Sequence, residues 1–397
     1  MSPLARLGLP IAALAAVGIV LLLASDAEDP APAPTITDEL QSEAPGEESD
    51  DDSPRGTPGR RERPTRLTIA ASGDILIHFP IYQRALANGG GSSYDFAPML
   101  APLRPWIREA DVALCHLETV MAASLPLSGY PRFNSPRSLA AAIGTTGFDA
   151  CSVASNHSAD QGRVGIEETL DALDRAGVEH AGTYASAPAS RRTVLIRHRN
   201  ARVALLSYTT DLNGLEPPTP WSVNLVDDPR TVLADARRAR ADGADAVIVN
   251  MHWSSGVVPE YTHAPSAHQR EFAARLARSR AITAIVGQGP HVVQPIERVN
   301  GKYVIFSEGN LISNQGAASG LPAASQDGLV AFLEMVVGRD HARVVRVRYL
   351  PVWVRHPDYT VLPATRRTAD GARARVVSVV GRSGRIAPLS KTNAIEK

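Results

Sequence analysis

Seven polar residues carry the chemistry available to this chain: Asp74, His78, Glu118, Asn156, His157, His252 and His291. Each stands at or just beyond the end of an apolar run. Leu67 to Ser72 leads into Gly73-Asp74-Ile75-Leu76-Ile77-His78, and Asp111 to Leu117 leads into Glu118. Phe148 to Ala154 leads into Ser155-Asn156-His157-Ser158-Ala159-Asp160-Gln161-Gly162. Ala246 to Asn250 leads into Met251-His252-Trp253, and Ala281 to Val286 into Gly287-Gln288-Gly289-Pro290-His291. Loops at strand ends are where α/β proteins place their functional groups.

Each residue has an ordinary structural reading when taken alone. Asp74 can cap a helix, Asn156 can occupy a left-handed turn, and a loop histidine is commonly a surface group. Recurrence at five strand ends is what points to a site. Two carboxylates, one amide and several imidazoles make a mixed oxygen and nitrogen donor set. Such a set suits manganese, iron or zinc better than calcium or magnesium. One or two divalent ions held there would serve attack on a phosphoryl or similar centre. His157 is then placed to act as an acid or as a hydrogen-bond donor to developing charge.

The elements that must position these groups alternate between strand-like and helix-like patterns. Helices are expected at Gly165 to Ala176, Pro229 to Ala241 and Ser266 to Ser279. Val194 to Ile196 and Arg202 to Tyr208 read as a hairpin, and Gly328 to Val337 and Ala342 to Val354 as alternating strands that close the sheet. The βαβ alternation predicts an α/β fold with largely parallel strands covered by helices on both faces.

A chain of 397 residues with 44% hydrophobic content can bury a large core. Lys plus Arg and Asp plus Glu are equal at 41 each, and aromatic residues make up 5%, so nothing argues for nucleic acid. No Gly-rich P-loop is present, which excludes ATP-driven ligation by that means. Residues 1–25 hold Arg6 and then an apolar run of 18 residues, Leu7 to Ala24, followed by acidic Asp26-Ala27-Glu28-Asp29. This is expected to be a single-pass membrane anchor, or alternatively a cleaved signal, with the N-terminus cytoplasmic and the rest exported. Residues 26–66, rich in Pro, Asp and Glu and turning basic from Arg55, are expected to be a disordered linker. A folded domain over 67–365 and a tail over 366–397, a short helix with a frayed end, follow. Cys115 and Cys151 both fall inside buried strands and are expected to be two unpaired core residues.

From Leu67 to Val354 the motifs together resemble the CapA family of capsule and poly-γ-glutamate synthesis proteins, a branch of the calcineurin-like metallophosphoesterases. The resemblance rests on Gly73-Asp74-Ile75-Leu76-Ile77-His78, Leu117-Glu118-Thr119, Ser155 to Gly162, His252-Trp253, Glu260-Tyr261, Gly287 to Glu297, and Phe306-Ser307-Glu308-Gly309-Asn310-Leu311-Ile312. It implies a four-layer α/β/β/α sandwich of the metallo-dependent phosphatase type. It also implies that Asp74 and His291 ligate one metal, that Asn156 and His252 ligate another, and that Glu118 bridges them. His157 would face the reacting group, and His78 would be a further ligand or a substrate contact. The implied partners are an anionic polymer, poly-γ-glutamate or capsular material, and the membrane proteins that make and export it. Four positions depart from the family pattern: Gln288 stands where a histidine is usual, His116 where an asparagine is, Ser254 where a glycine is, and Glu308 where a leucine is.

Overall fold

The computed structural model describes residues 65–254, 258–338 and 341–389. The expected anchor, the linker up to residue 64 and the end of the tail lie outside the described residues. Among the described residues no helix is long and apolar enough to cross a membrane. The first strand begins at Thr65, so Thr65 and Arg66 belong to the domain rather than to the linker.

Among the described residues the fifteen strands are β1 (Thr65–Ile75), β2 (Val112–Leu117), β3 (Ala150–Ser152), β4 (Glu179–Ala181), β5 (Val194–His198), β6 (Ala201–Thr209), β7 (Ala246–His252), β8 (Ala284–Gln288), β9 (Ile296–Val299), β10 (Lys302–Ile305), β11 (Asn310–Ile312), β12 (Asp327–Val337), β13 (Ala342–Arg355), β14 (Thr360–Pro363) and β15 (Ile386–Pro388). The longer helices are α1 (Phe79–Asn88), α2 (Ser138–Thr146), α3 (Gly162–Arg175), α4 (Pro229–Ala241), α5 (Ala267–Ala277) and α6 (Asp370–Val380).

The strands form two sheets. One follows the order β14-β13-β12-β1-β2-β3-β4, with β11 beside β1 and β15 beside β13. The other follows β5-β6-β7-β8-β10-β9. Parallel pairing holds at the centre of each, between β1, β2, β3 and β4 and between β6, β7, β8 and β10. The hairpins β12–β13–β14 and β5–β6 run antiparallel, as the alternating patterns require.

The two-face covering expected from the alternation is corrected here. Leu67, Ile69 and Leu114 of the first sheet share a buried cluster with Val203, Ile248 and Val286 of the second, so the sheets pack on each other. Helices α1, α2 and α3 lie on the outer face of the first sheet and α4 and α5 on that of the second, while Val376 and Val380 of α6 join the cluster between the sheets. Strand patterns show which faces are apolar, but they do not show whether a helix or another sheet covers them. Helix α6 stands where the short helix of the tail is expected; Arg375 holds it to β12 through Asp327, Nε to Oδ2 at 2.6 Å.

The expectation of two unpaired cysteines is also corrected. Cys115 and Cys151 are register partners on the neighbouring strands β2 and β3. With Cα atoms 4.5 Å apart they form a disulfide. Register, which the sequence does not display, is what brings them together. In denaturant without reductant the chain should titrate no free thiol, and with reductant two; two free thiols at the outset would refute the pairing. Because the bridge spans a sequence separation of 36, a Cys115→Ala, Cys151→Ala variant should lose about 4 kcal/mol of stability on loop entropy.

Candidate metal centre

The polar strand ends converge where the two sheets meet. Asp74 near the end of β1 is in register with His116 of β2 and with Asn310 of β11. On the second sheet His252, the last residue of β7, is in register with Gln288, the last residue of β8. Two glycines make this convergence possible. A Cβ on Gly73 would collide with the Gly309 carbonyl, to which the Asp74 N–H donates at 3.0 Å. Gly289, at φ +106°, lets the loop pass against the Trp253 backbone and deliver His291.

Asp74, His116, Glu118 and His252 are wholly buried, and His291 nearly so. Two triads have ligand atoms within 4.8 Å of one another: Asp74, His116 and His252, and Asp74, Glu118 and His291. Asp74 is common to both. Glu118 Oε1 lies 3.6 Å from His252 Nε2 and 3.8 Å from His291 Nε2.

Hydrogen bonding fixes which nitrogens face inward. The Ser152 hydroxyl donates to the Cys115 carbonyl at 3.2 Å, so its oxygen accepts from His116 Nδ1 at 2.7 Å. His116 Nε2 is then an acceptor for His252 Nδ1–H at 2.9 Å. This leaves His252 Nε2 as a bare lone pair beside Glu118. Burial keeps both rings neutral, pushing His116 down to about 4 and His252 well below the usual imidazole range. His116 therefore orients His252, as outer groups do for metal-ligating histidines. The geometric triad that includes His116 uses atoms already spent on this bond, and the set facing inward is Asp74, Glu118, His252 and His291.

His291 is held similarly. The Asn310 amide donates to Gln315 Oε1 at 2.9 Å and to the Ser325 carbonyl at 2.8 Å, so Asn310 Oδ1 is left to accept from His291 Nδ1 at 3.1 Å. The same nitrogen lies 3.2 Å from Asp74 Oδ2. Burial disfavours charge on this ring, but Glu118 and Asp74 outweigh it and raise His291 to about 10. Burial and the neighbouring Asp74 push Glu118 well above the carboxylate range.

A buried polar atom without a partner is costly, and such atoms are few in native proteins. Here they cluster. Asp74 Oδ1, both Glu118 oxygens, Asn156 Oδ1, His252 Nε2, Gln288 Oε1 and Glu308 Oε1 are buried and make no hydrogen bond. With His252 in the tautomer above, the nitrogen and the amide oxygens offer only lone pairs, as does each carboxylate when ionised. A divalent cation satisfies such a set, and the residues fit one.

The remaining expected residues line a cleft of ≈ 720 Å³ that opens over His291. His157 donates Nδ1–H to Asp160 Oδ2 at 2.7 Å, and that oxygen also accepts the Phe133 N–H at 2.6 Å. The His157 ring is pinned edge-on to Phe133, with centroids 4.6 Å apart. Asn156 anchors its amide nitrogen on Asn213 Oδ1 at 3.3 Å. His78 caps the start of α1 and is pushed down to about 4 by burial. It is thus a neutral wall of the cleft.

Sequence reasoning did not single out Arg132, and it noted His116 only as a departure from the family pattern and Tyr261 only within the Glu260-Tyr261 motif. Arg132 and Tyr261 enter the cleft on loops that have no periodic pattern. Gln288 donates its amide to Glu308 Oε2 at 2.8 Å, which fixes the extra carboxylate in place. Burial raises Glu308 to about 8 despite that bond.

Comparison with known proteins agrees with the motifs. The capsule biosynthesis protein CapA of Bacillus anthracis is 25% identical over 270 residues, 65% of this chain and 62% of that protein. The PGA biosynthesis protein CapA of Bacillus subtilis (strain 168) is 30% identical over 174 residues, 43% of each chain. This chain thus spans less than two thirds of either relative's length. Among solved structures, the calcineurin-like phosphoesterase YfkN from Bacillus subtilis aligns at 12% identity and TM-score 0.42, covering 80% of this chain and 99% of that one. The family model described as "Bacterial capsule synthesis protein PGA_cap" matches residues 68–315, and the chain belongs to that family.

Proposed function

We propose that this chain is a membrane-anchored, extracytoplasmic protein that serves the synthesis, export or anchoring of a capsular polymer such as poly-γ-glutamate, by metal-dependent hydrolase or transferase chemistry. The observation that carries the chemical part is the group of unpartnered, buried lone pairs around Asp74, Glu118 and His252. The disulfide supports the compartment, because such bonds persist in oxidising surroundings. The apolar run Leu7 to Ala24 supports attachment to the membrane. The names of the relatives support the polymer.

In this reading Asp74, Glu118, His252 and His291 hold one or two manganese, iron or zinc ions, with the Asn156 and Gln288 carbonyl oxygens on the rim. A bound divalent ion there supplies Lewis-acid stabilisation of negative charge. The protein's own groups do the rest. Arg132 is the one arginine of the cleft lining and holds an anionic group of the substrate. Asp160 fixes the His157 tautomer with Nδ1 protonated, so Nε2 is the atom that exchanges a proton with the leaving group. His78 and Phe133 shape the wall without contributing charge.

Metal content decides the chemical part. Elemental mass spectrometry on the full chain should find between one and two transition metals, and Glu118→Gln should lose them; a metal-replete wild-type chain without any would overturn this reading. Adding the metal to chelator-stripped protein at a hundred times Kd should stabilise it by about 2.7 kcal/mol in thermal unfolding. His116→Ala should weaken metal affinity roughly 10- to 100-fold through loss of the His252 tautomer, measured by competition with a chromogenic chelator. Asp160→Asn should cut turnover of a model ester or amide about 100-fold with metal content unchanged. An Asp160→Asn chain that lost its metal would place Asp160 in the metal centre instead.

A further inference from the structure

The end of the molecule away from the cleft carries a second concavity. It is a pocket of ≈ 250 Å³ lined by Arg280, Arg298, Lys302, Arg343 and Arg385, with His341 at its edge. It lies between the starts of β8 and β10 in one sheet and the start of β13 in the other. Strand β8 runs from beside the lining residue Thr283 to Gln288 at the metal centre. Its five residues span about 16 Å, so the two sites are separate.

No Asp or Glu is among the residues that line it. Arg298 is held in position, its Nε 3.2 Å from the Gly301 carbonyl and its guanidinium 5.8 Å from the Tyr303 ring centre. Lys302 is half-buried, and its ammonium is pushed down by burial and then by repulsion from Arg240 and Arg280. Five like charges around one concavity repel each other, and an oxyanion is the partner that relieves this. Guanidinium groups meet carboxylates through paired, parallel hydrogen bonds. The volume falls below the usual range for small-molecule sites, roughly 300–1,000 Å³, and suits one acidic side group better than a whole cofactor.

We propose that this pocket is a second anion site, which takes a carboxylate of an acidic polymer such as poly-γ-glutamate. The inference rests on the polymer reading given above. A polymer held at one end of the domain raises the effective concentration of its other segments at the cleft, without a new contact there. The pocket thus retains the polymer between reaction or transfer events.

The test is binding of poly-γ-glutamate to the full, detergent-solubilised chain by titration calorimetry at low salt. The three side chains to replace are exposed. An Arg280→Ala, Arg343→Ala, Arg385→Ala variant should bind at least tenfold more weakly, with unchanged metal content. The matching triple Lys variant, which keeps the charge and loses the paired bonds, should bind more weakly than the parent and more tightly than the Ala variant. Parental affinity in the Ala variant would overturn the pocket while leaving the polymer reading intact. No polymer binding by the parent would overturn both. In a parallel arm, loss of binding to phosphatidylglycerol vesicles with polymer affinity retained would assign the pocket to lipid phosphates and overturn the inference.

Discussion

Two carboxylates buried side by side between two sheets are the constraint on which the rest of this site depends. Asp74 and Glu118 are wholly removed from water, and three of their four oxygens lack a hydrogen bond. Isolated buried charge costs several kcal/mol per ion, and like charges add to that cost. The protein leaves these groups without a neutralising arginine or lysine. What it supplies is His291, whose ring Glu118 and Asp74 push toward the protonated form against burial and which must give up that proton to ligate a cation, and a surrounding set of neutral donors turned elsewhere. A site built this way costs folding energy and gains a strong field for a small cation.

The architecture follows from that need. Carboxylates approach each other this closely only if their backbones are fixed, and each sits at the end of a parallel strand in a sheet centre. Joining two sheets brings β7 and β8 to face β1 and β2, so histidines from one sheet complete the carboxylates of the other. Glycine is required at positions 73 and 289 because backbone from one strand end must pass over another. The disulfide between β2 and β3 sits one residue from His116 and Ser152, the start of the bond chain that orients His252. Rigidity beneath the site thus comes from covalent, hydrogen-bonded and packed contacts in adjacent positions.

Much of this was legible in the sequence, for a physical reason. Buried parallel strands read as apolar runs, and the polar residues that end them stand out against those runs, which is how Asp74, Glu118, Asn156, His157, His252 and His291 are singled out. What escaped was everything that depends on pairing between distant segments. His116 and His252 are 136 residues apart, and their 2.9 Å bond exists only because two sheets meet. Cys115 and Cys151 depend on the register of β2 with β3, and covering of an apolar face by a second sheet leaves the same pattern as covering by helices. Arg132 and Tyr261 come from loops, where no period marks a residue.

Gln288 shows how a departure from a family pattern can be read physically. An amide in place of an imidazole removes a nitrogen donor from the centre, yet Gln288 Oε1 is buried and unpartnered while its NH₂ is committed to Glu308. The bond to Glu308 fixes which end of the amide is the donor and leaves Oε1 as an acceptor without a partner. The extra carboxylate and the amide are thus bonded to each other, and both offer oxygen rather than nitrogen. Carboxylate and amide oxygens are harder donors than imidazole nitrogen, so this pair sets hard donors next to the register partner of Gln288, His252.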